Sequence, residues 1–147
     1  MLIESGVEED QIITLALDEI DNARFRQIEE THLMENVLYN DLVRRGYDVD
    51  VGVVEVNTTG QDGKNVRKQL EVDFVANRGD ERCYIQSALS IDDPEKKKQE
   101  IESLIRIPDS FKKIVVVKDY MKPWQDDNGI QYVGVEQFLL NEDFLAR

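Results

Sequence analysis

Three strand-like runs follow one another between Tyr47 and Ala88 with only short polar turns between them, and this succession constrains the fold more than any other feature. The first run, Tyr47 to Val56, alternates apolar and polar residues in part. Asn57 to Gly63, with two glycines and Asp62, reads as an exposed hairpin turn. The second run covers about Arg67 to Ala76, and Asn77-Arg78-Gly79-Asp80 turns the chain into a third, Arg82 to Ala88. Connections this short join antiparallel neighbours, because a parallel pair needs a crossover of a dozen residues or more.

On both sides of this block the periodicity becomes helical. From about Glu29 to Arg45, the residues Met34, Val37, Leu38, Asp41 and Leu42 share one mostly apolar face. Arg44 and Arg45 fall in the last turn, where they complement the helix dipole, and Gly46 is a ready stop. Asp93-Pro94 opens a second helix that runs to about Ile105. Lys112 to Val117 and Ile130 to Val135 read as strands separated by a turn at Asp126–Gly129, and a short last helix holds Phe138, Leu139 and Leu140. Near the N-terminus, the apolar run Gln11–Leu17 is bounded by acids and suits a buried strand. Such a strand is expected to add to a sheet edge of this chain or of a neighbour.

At 147 residues the chain has the length of about one domain. Its single cysteine, Cys83, excludes an internal disulfide, and one histidine, His32, excludes the two-histidine zinc motifs. No apolar run approaches the ~18 residues that span a bilayer, and no basic stretch precedes an apolar one at the N-terminus. A cytoplasmic protein without a membrane partner is the expectation. The formal net charge of −13 opposes nucleic-acid binding over the surface as a whole. The charge is uneven, however: residues 1–30 hold nine acids against Arg24 and Arg26, so a local basic face elsewhere stays open.

Glu35 sits mid-helix, Asp73 lies in Glu71-Val72-Asp73-Phe74-Val75, and the third strand carries Ile85-Gln86-Ser87-Ala88. With the order of elements, these positions resemble the PD-(D/E)XK superfamily, the fold of restriction endonucleases and Holliday-junction resolvases. The resemblance implies an α/β fold with a restriction-endonuclease-like α-β-β-β-α-β-β-α core, its mixed central sheet flanked by helices. It also implies a site in which carboxylates at Glu35, Glu71 and Asp73 would hold Mg²⁺ through oxygen ligands, and the metal would activate a water for phosphodiester cleavage. Two departures stand against activity. The family's Glu-x-Lys is Gln86-Ser87-Ala88 here, so one ligand is neutral and the lysine is absent. Loss of one preorganised electrostatic group typically costs about 10²–10³ in rate.

A second resemblance covers His32 to Leu140. Met34-Glu35-Asn36-Val37-Leu38-Tyr39-Asn40-Asp41-Leu42, then Arg44-Arg45-Gly46-Tyr47, Glu71-Val72-Asp73-Phe74-Val75, Tyr84-Ile85-Gln86 and Asp93-Pro94-Glu95 leading to Glu100 carry it. These resemble the C-terminal domain of unknown function in a large bacterial group of AAA-type ATPases. In that group a glutamine and a small residue commonly stand at positions like 86 and 88. Gly6 to Ile13 and Leu17 to Asn22 resemble a segment just after the phosphate-binding loop of such ATPases. No Gly-x-x-x-x-Gly-Lys-Ser/Thr loop is present, so no ATP site is expected. The resemblance implies a shortened form in which residues 1–28 are a remnant of the ATPase part and 29–147 the nuclease-like domain.

Each candidate residue also has a plain structural reading. Glu35 and Asn36 can bridge helix to sheet; Glu71 and Asp73 can pair with Arg67, Lys68 or Arg82; Gln86 can satisfy hydrogen bonds with Asp73 or Glu35. Lys96-Lys97-Lys98 is either a solvated helix face or a phosphate-contacting patch with Arg44, Arg45 and Lys68. Trp124 is a packing plug or a partner contact. Two functions follow: a catalytically silent nuclease-like module acting through a protein partner or self-association, without cofactor, or a weak metal-dependent nucleic-acid enzyme using Glu35, Glu71 and Asp73.

Overall fold

The computed structural model describes residues 9–146, with side chains from Asn22 onward. The chain divides into two compact units between Leu33 and Met34. The first helix, α1, covers Glu9–Arg44. Gln11–Leu17, expected as a strand, therefore belongs to a helix. A short apolar run carries no period of its own that tells strand from helix. Neither glycine nor proline occurs between Val7 and Arg45, and the segment is rich in Leu, Ala, Glu and Gln, so nothing interrupts helical hydrogen bonding there.

The second unit is an α/β layer structure. Its six strands are β1 (Asp48–Thr59), β2 (Asn65–Arg78), β3 (Glu81–Ala88), β4 (Lys112–Val117), β5 (Trp124–Gln125) and β6 (Ile130–Gly134). They form one mixed sheet in the order β1-β2-β3-β4-β6-β5. β1, β2 and β3 are antiparallel neighbours, as their short turns require. β4 runs parallel to both β3 and β6, and β5 closes the far edge antiparallel to β6. The crossover from β3 to β4 is made by α2 (Pro94–Arg106), and α3 (Val135–Leu140) follows β6 directly before a 3-10 turn at Glu142–Phe144. Asp93 caps α2 as expected, its Oδ1 accepting from Glu95 N at 2.9 Å and Lys96 N at 3.4 Å. The β1–β2 hairpin is longer than its sequence suggested, with the turn confined to Gly60–Lys64. β5 was not expected at all; it is two residues between Pro123 and Asp126, too short to show alternation.

The sheet is covered on both faces. Met34, Leu38 and Leu42 of α1 pack with Phe74, Ile85, Ile114, Val116 and Phe138 in one buried cluster. Val37, on the expected apolar face, lies at its margin and is exposed. Ile101, Leu104 and Ile107 pack with Val72, Tyr84, Val115, Val117 and Tyr132 in the other. Two residues apart on β2, Val72 and Phe74 belong to opposite clusters, which a regular strand does not permit. The cause is a β-bulge: Asp50 pairs with Val75 and Gly52 with Val72, so Asp73 and Phe74 together oppose Val51. Gly52 fits this crowded register because a Cβ there would stand 2.7 Å from Val75 Cγ2 and 3.0 Å from Val72 Cβ.

Candidate functional site: a carboxylate at a strand fork

The bulge lies where the sheet forks. β2 pairs with β3 only from Phe74 to Arg78, and toward its N-terminus it pairs with β1 alone. Asp73 stands at the fork and fills the gap with its side chain. Its Oδ2 accepts from the Ser87 amide at 2.8 Å and the Ser87 hydroxyl at 2.6 Å. Its Oδ1 accepts from Gln86 Nε2 at 3.0 Å, while its own amide donates to Gln86 Oε1 at 3.3 Å. The carboxylate thus replaces the ladder partner that Ser87 loses where the strands part, which satisfies a buried donor. Gln86 and Ser87 are both buried.

Burial raises the Asp73 carboxyl above the usual carboxylate range; the hydrogen bonds from Ser87 and Gln86 oppose that rise and the charge of Glu71 adds to it. Glu100, half-buried on α2, is raised as well, first by burial and then by the charge of Asp73. Lys96 and a hydrogen bond with Gln86 partly offset this. The site is therefore Asp73 held by Gln86 and Ser87, with Glu100 near enough that the charge of Asp73 raises its carboxyl.

Glu100 and Ser87 were not singled out from sequence. Glu100 precedes the core residue Ile101, but helical spacing does not tell where α2 crosses the sheet. Gln86 does what its plain reading implied, bonding Asp73. Glu71 was expected to project beside Asp73 from a regular strand; the bulge removes that regularity, and Glu71 is exposed and outside the hydrogen bonds around Asp73. Glu35 is half-buried on α1 and takes no part in those hydrogen bonds either. Ala88, at the lysine position, is buried against the α2-side core.

The cations expected beside the acids or on a phosphate patch are held elsewhere. Arg67 pairs with Glu55, Lys68 with Glu102 at 3.5 Å, and Arg82 donates to Asn77 at 2.7 Å. Arg44 pairs with Asp41 at 2.9 Å and with Glu142 at 3.0 Å. Arg45, only 4% exposed at its side chain, pairs with Asp41 at 2.7 Å and is not a surface phosphate contact. Lys97 lies over both Trp124 and Tyr132, whose rings stack 4.3 Å apart, while Trp124 itself stays 41% exposed.

A hard divalent cation needs oxygen ligands with free lone pairs. At Asp73 the surrounding groups are an amide N–H, a hydroxyl and a carboxamide NH₂, each donating toward the carboxylate. In this arrangement those donors occupy both Asp73 oxygens, with the Glu71 and Glu100 carboxylates nearby.

No family model matches the chain. It is similar to an uncharacterized protein of Haemophilus influenzae (strain ATCC 51907 / DSM 11121 / KW20 / Rd), 36% identical over 107 residues. The matched region is 73% of this chain and 22% of that relative, so the chain spans about a fifth of the length of the curated relative it matches. Among the described residues, no helix is long and apolar enough to cross a membrane.

Proposed function

We propose that this chain is a catalytically silent nuclease-like module that acts in protein interaction or assembly, and that it derives from the C-terminal domain of an AAA-type ATPase. One observation carries the reading. Gln86, where an active site would hold a metal-binding glutamate, turns its NH₂ group onto Asp73 at 3.0 Å. A carboxylate whose oxygens accept from Ser87 and Gln86 is a folding element, since those donors would have to leave before a metal arrived. The alternation of three antiparallel and two parallel-paired strands around a fork at Asp73 agrees with a restriction-endonuclease-like core. The relative's greater length agrees with a module that elsewhere forms part of a larger protein. Cytoplasmic location, absence of a cofactor and a protein rather than nucleic-acid partner belong to the same proposal.

A cleavage assay tests it. The full chain is incubated with Mg²⁺ or Mn²⁺ at low salt with duplex, single-stranded and branched DNA and RNA, beside Asp73→Asn. The expected result is no cleavage above the level of the variant. Wild-type cleavage that disappears in Asp73→Asn would overturn the reading and place metal chemistry at Asp73.

A further inference from the structure

We propose that the outer edge of β1 docks a basic, extended segment of a partner protein, which adds to the sheet as one further strand. The proposal rests on the interaction reading above and names its surface and partner chemistry.

The two edges of the sheet are unlike. β5 is two residues long, whereas β1 is twelve and, among the described residues, pairs only with β2. An edge strand leaves a row of backbone N–H and C=O groups without ladder partners, and natural edges are usually blunted by lysine, proline, a bulge or shortness. β1 has no proline, the bulge lies on β2, and the only charges on the strand are the carboxylates of Asp48, Asp50 and Glu55, which repel acidic strands and admit basic ones. Its composition suits pairing: five valines and two threonines in Asp48–Thr59, with Val51 67% and Val53 55% exposed.

Charge selects the occupant. From Tyr47 to Gly63 there are four acids and no Lys, Arg or His. Glu55 is answered by Arg67 and Asp62 by Lys64, but Asp48 and Asp50 form no ion pair among the described residues. A groove of about 480 Å³ lies over the α2-side face of β1, β2 and β3, lined by Asp50, Val54, Val72, Tyr84, Ile107 and Asp109 among others. Strand addition draws affinity from main-chain hydrogen bonds and specificity from pockets that take alternate side chains. On the strand itself the exposed carboxylates of Asp48 and Asp50, which form no ion pair among the described residues, suit lysine or arginine at alternate positions of an added strand beside Val51 and Val53. A second copy of this chain would bring its own acidic edge and its own net charge of −13, which like-charge repulsion disfavours.

Two synthetic peptides matching the twelve-residue length of β1 test this on the full chain, one alternating Val and Lys, the other Val and Glu. Amide hydrogen exchange is followed residue by residue. The Val/Lys peptide should slow exchange across residues 48–59 and bind at least about tenfold more tightly than the Val/Glu peptide, with the difference shrinking in salt. In Asp48→Lys/Asp50→Lys, both at exposed positions, the preference should reverse. No protection at β1, equal binding of both peptides, or protection of β1 by self-association without peptide would each overturn the proposal. The cleavage assay reports separately: cleavage lost in Asp73→Asn defeats the interaction reading whatever β1 does. Absent cleavage with an inert β1 defeats the edge proposal alone.

Discussion

Asp41 and Asp73 are two acids withdrawn from solvent within one unit, and the fold holds them in opposite ways. Asp41, 8% exposed, is answered by charge: Arg45 Nε at 2.7 Å and Arg44 at 2.9 Å. Arg45 then spends its other donors on carbonyls near the end of α3, on Phe138 at 2.8 Å, Leu139 at 3.3 Å, Asn141 at 3.0 Å and Glu142 at 3.2 Å. The Phe138 and Leu139 carbonyls are among the acceptors that the end of α3 leaves without partners. Asp73 has only neutral donors and two acidic neighbours, Glu71 and Glu100. The first arrangement ties two elements together through a charge pair. The second keeps a carboxylate at a fork where its charge is not compensated.

The comparison breaks most visibly at Arg45. Arg45→Ala should destabilise the chain by about 3–5 kcal/mol, because it leaves the Asp41 charge buried with one partner and uncaps the end of α3. Chemical denaturation measures this. Arg45→Lys should recover only a small part, since an ammonium is a point charge and cannot fork between a carboxylate and several carbonyls. Full recovery by lysine would show that charge alone, and not the planar donor geometry, holds α1 to α3.

Asp73→Ala should cost less, about 1–3 kcal/mol, the penalty for leaving the Ser87 amide and the Gln86 carboxamide without their acceptor. Asp73→Asn should cost less again, because its amide oxygen can still accept from Ser87. Both are read by the same denaturation series. An Asp73→Ala variant as stable as wild type would mean that the repulsion from Glu71 and Glu100 cancels the hydrogen bonds.

The difference between the two acids was legible in the sequence to unequal degrees. Asp41 stood on an otherwise apolar helix face with arginines three and four residues later, the spacing at which side chains on a helix meet. That pairing was available, yet Arg44 and Arg45 read as dipole partners and phosphate contacts. The strands, the Asp93 cap and the Asp73–Gln86 contact followed from alternation, turn chemistry and the rule that buried polar groups find partners. The bulge did not: it is a property of the β1–β2 register, visible only once Asp50 pairs with Val75 and Gly52 with Val72. Nor did Glu100, whose position depends on how α2 crosses the sheet. The helix over Gln11–Leu17 was misread because a seven-residue apolar run fits either period.

The smallest expected effect is also the most specific to the site. Asp73 and Glu100 are both raised above their ordinary values of 3.8 and 4.5, so the folded state holds their protons more tightly than the unfolded chain does. Their contribution to stability is then present below the ordinary carboxylate range and is lost as pH rises through the raised folded values. Glu100→Gln removes one of the two titrating groups and, with it, the repulsion that Glu100 and Asp73 exert on each other. The variant should therefore lose less stability than wild type as pH rises from ~3 to ~7, and the difference between them should grow across that interval and then level. Denaturation midpoints at a series of pH values show the slope, and carboxyl carbon shifts of Asp73 show whether its titration moves back toward 3.8. A difference constant at every pH would mean that neither burial nor the charge of Asp73 shifts the titration of Glu100. A difference that grows with pH together with an Asp73 titration that moves toward 3.8 would identify uncompensated charge as what the fork retains and the arginine clasp at Asp41 removes, whereas growth with an unmoved Asp73 would trace to the burial of Glu100 alone.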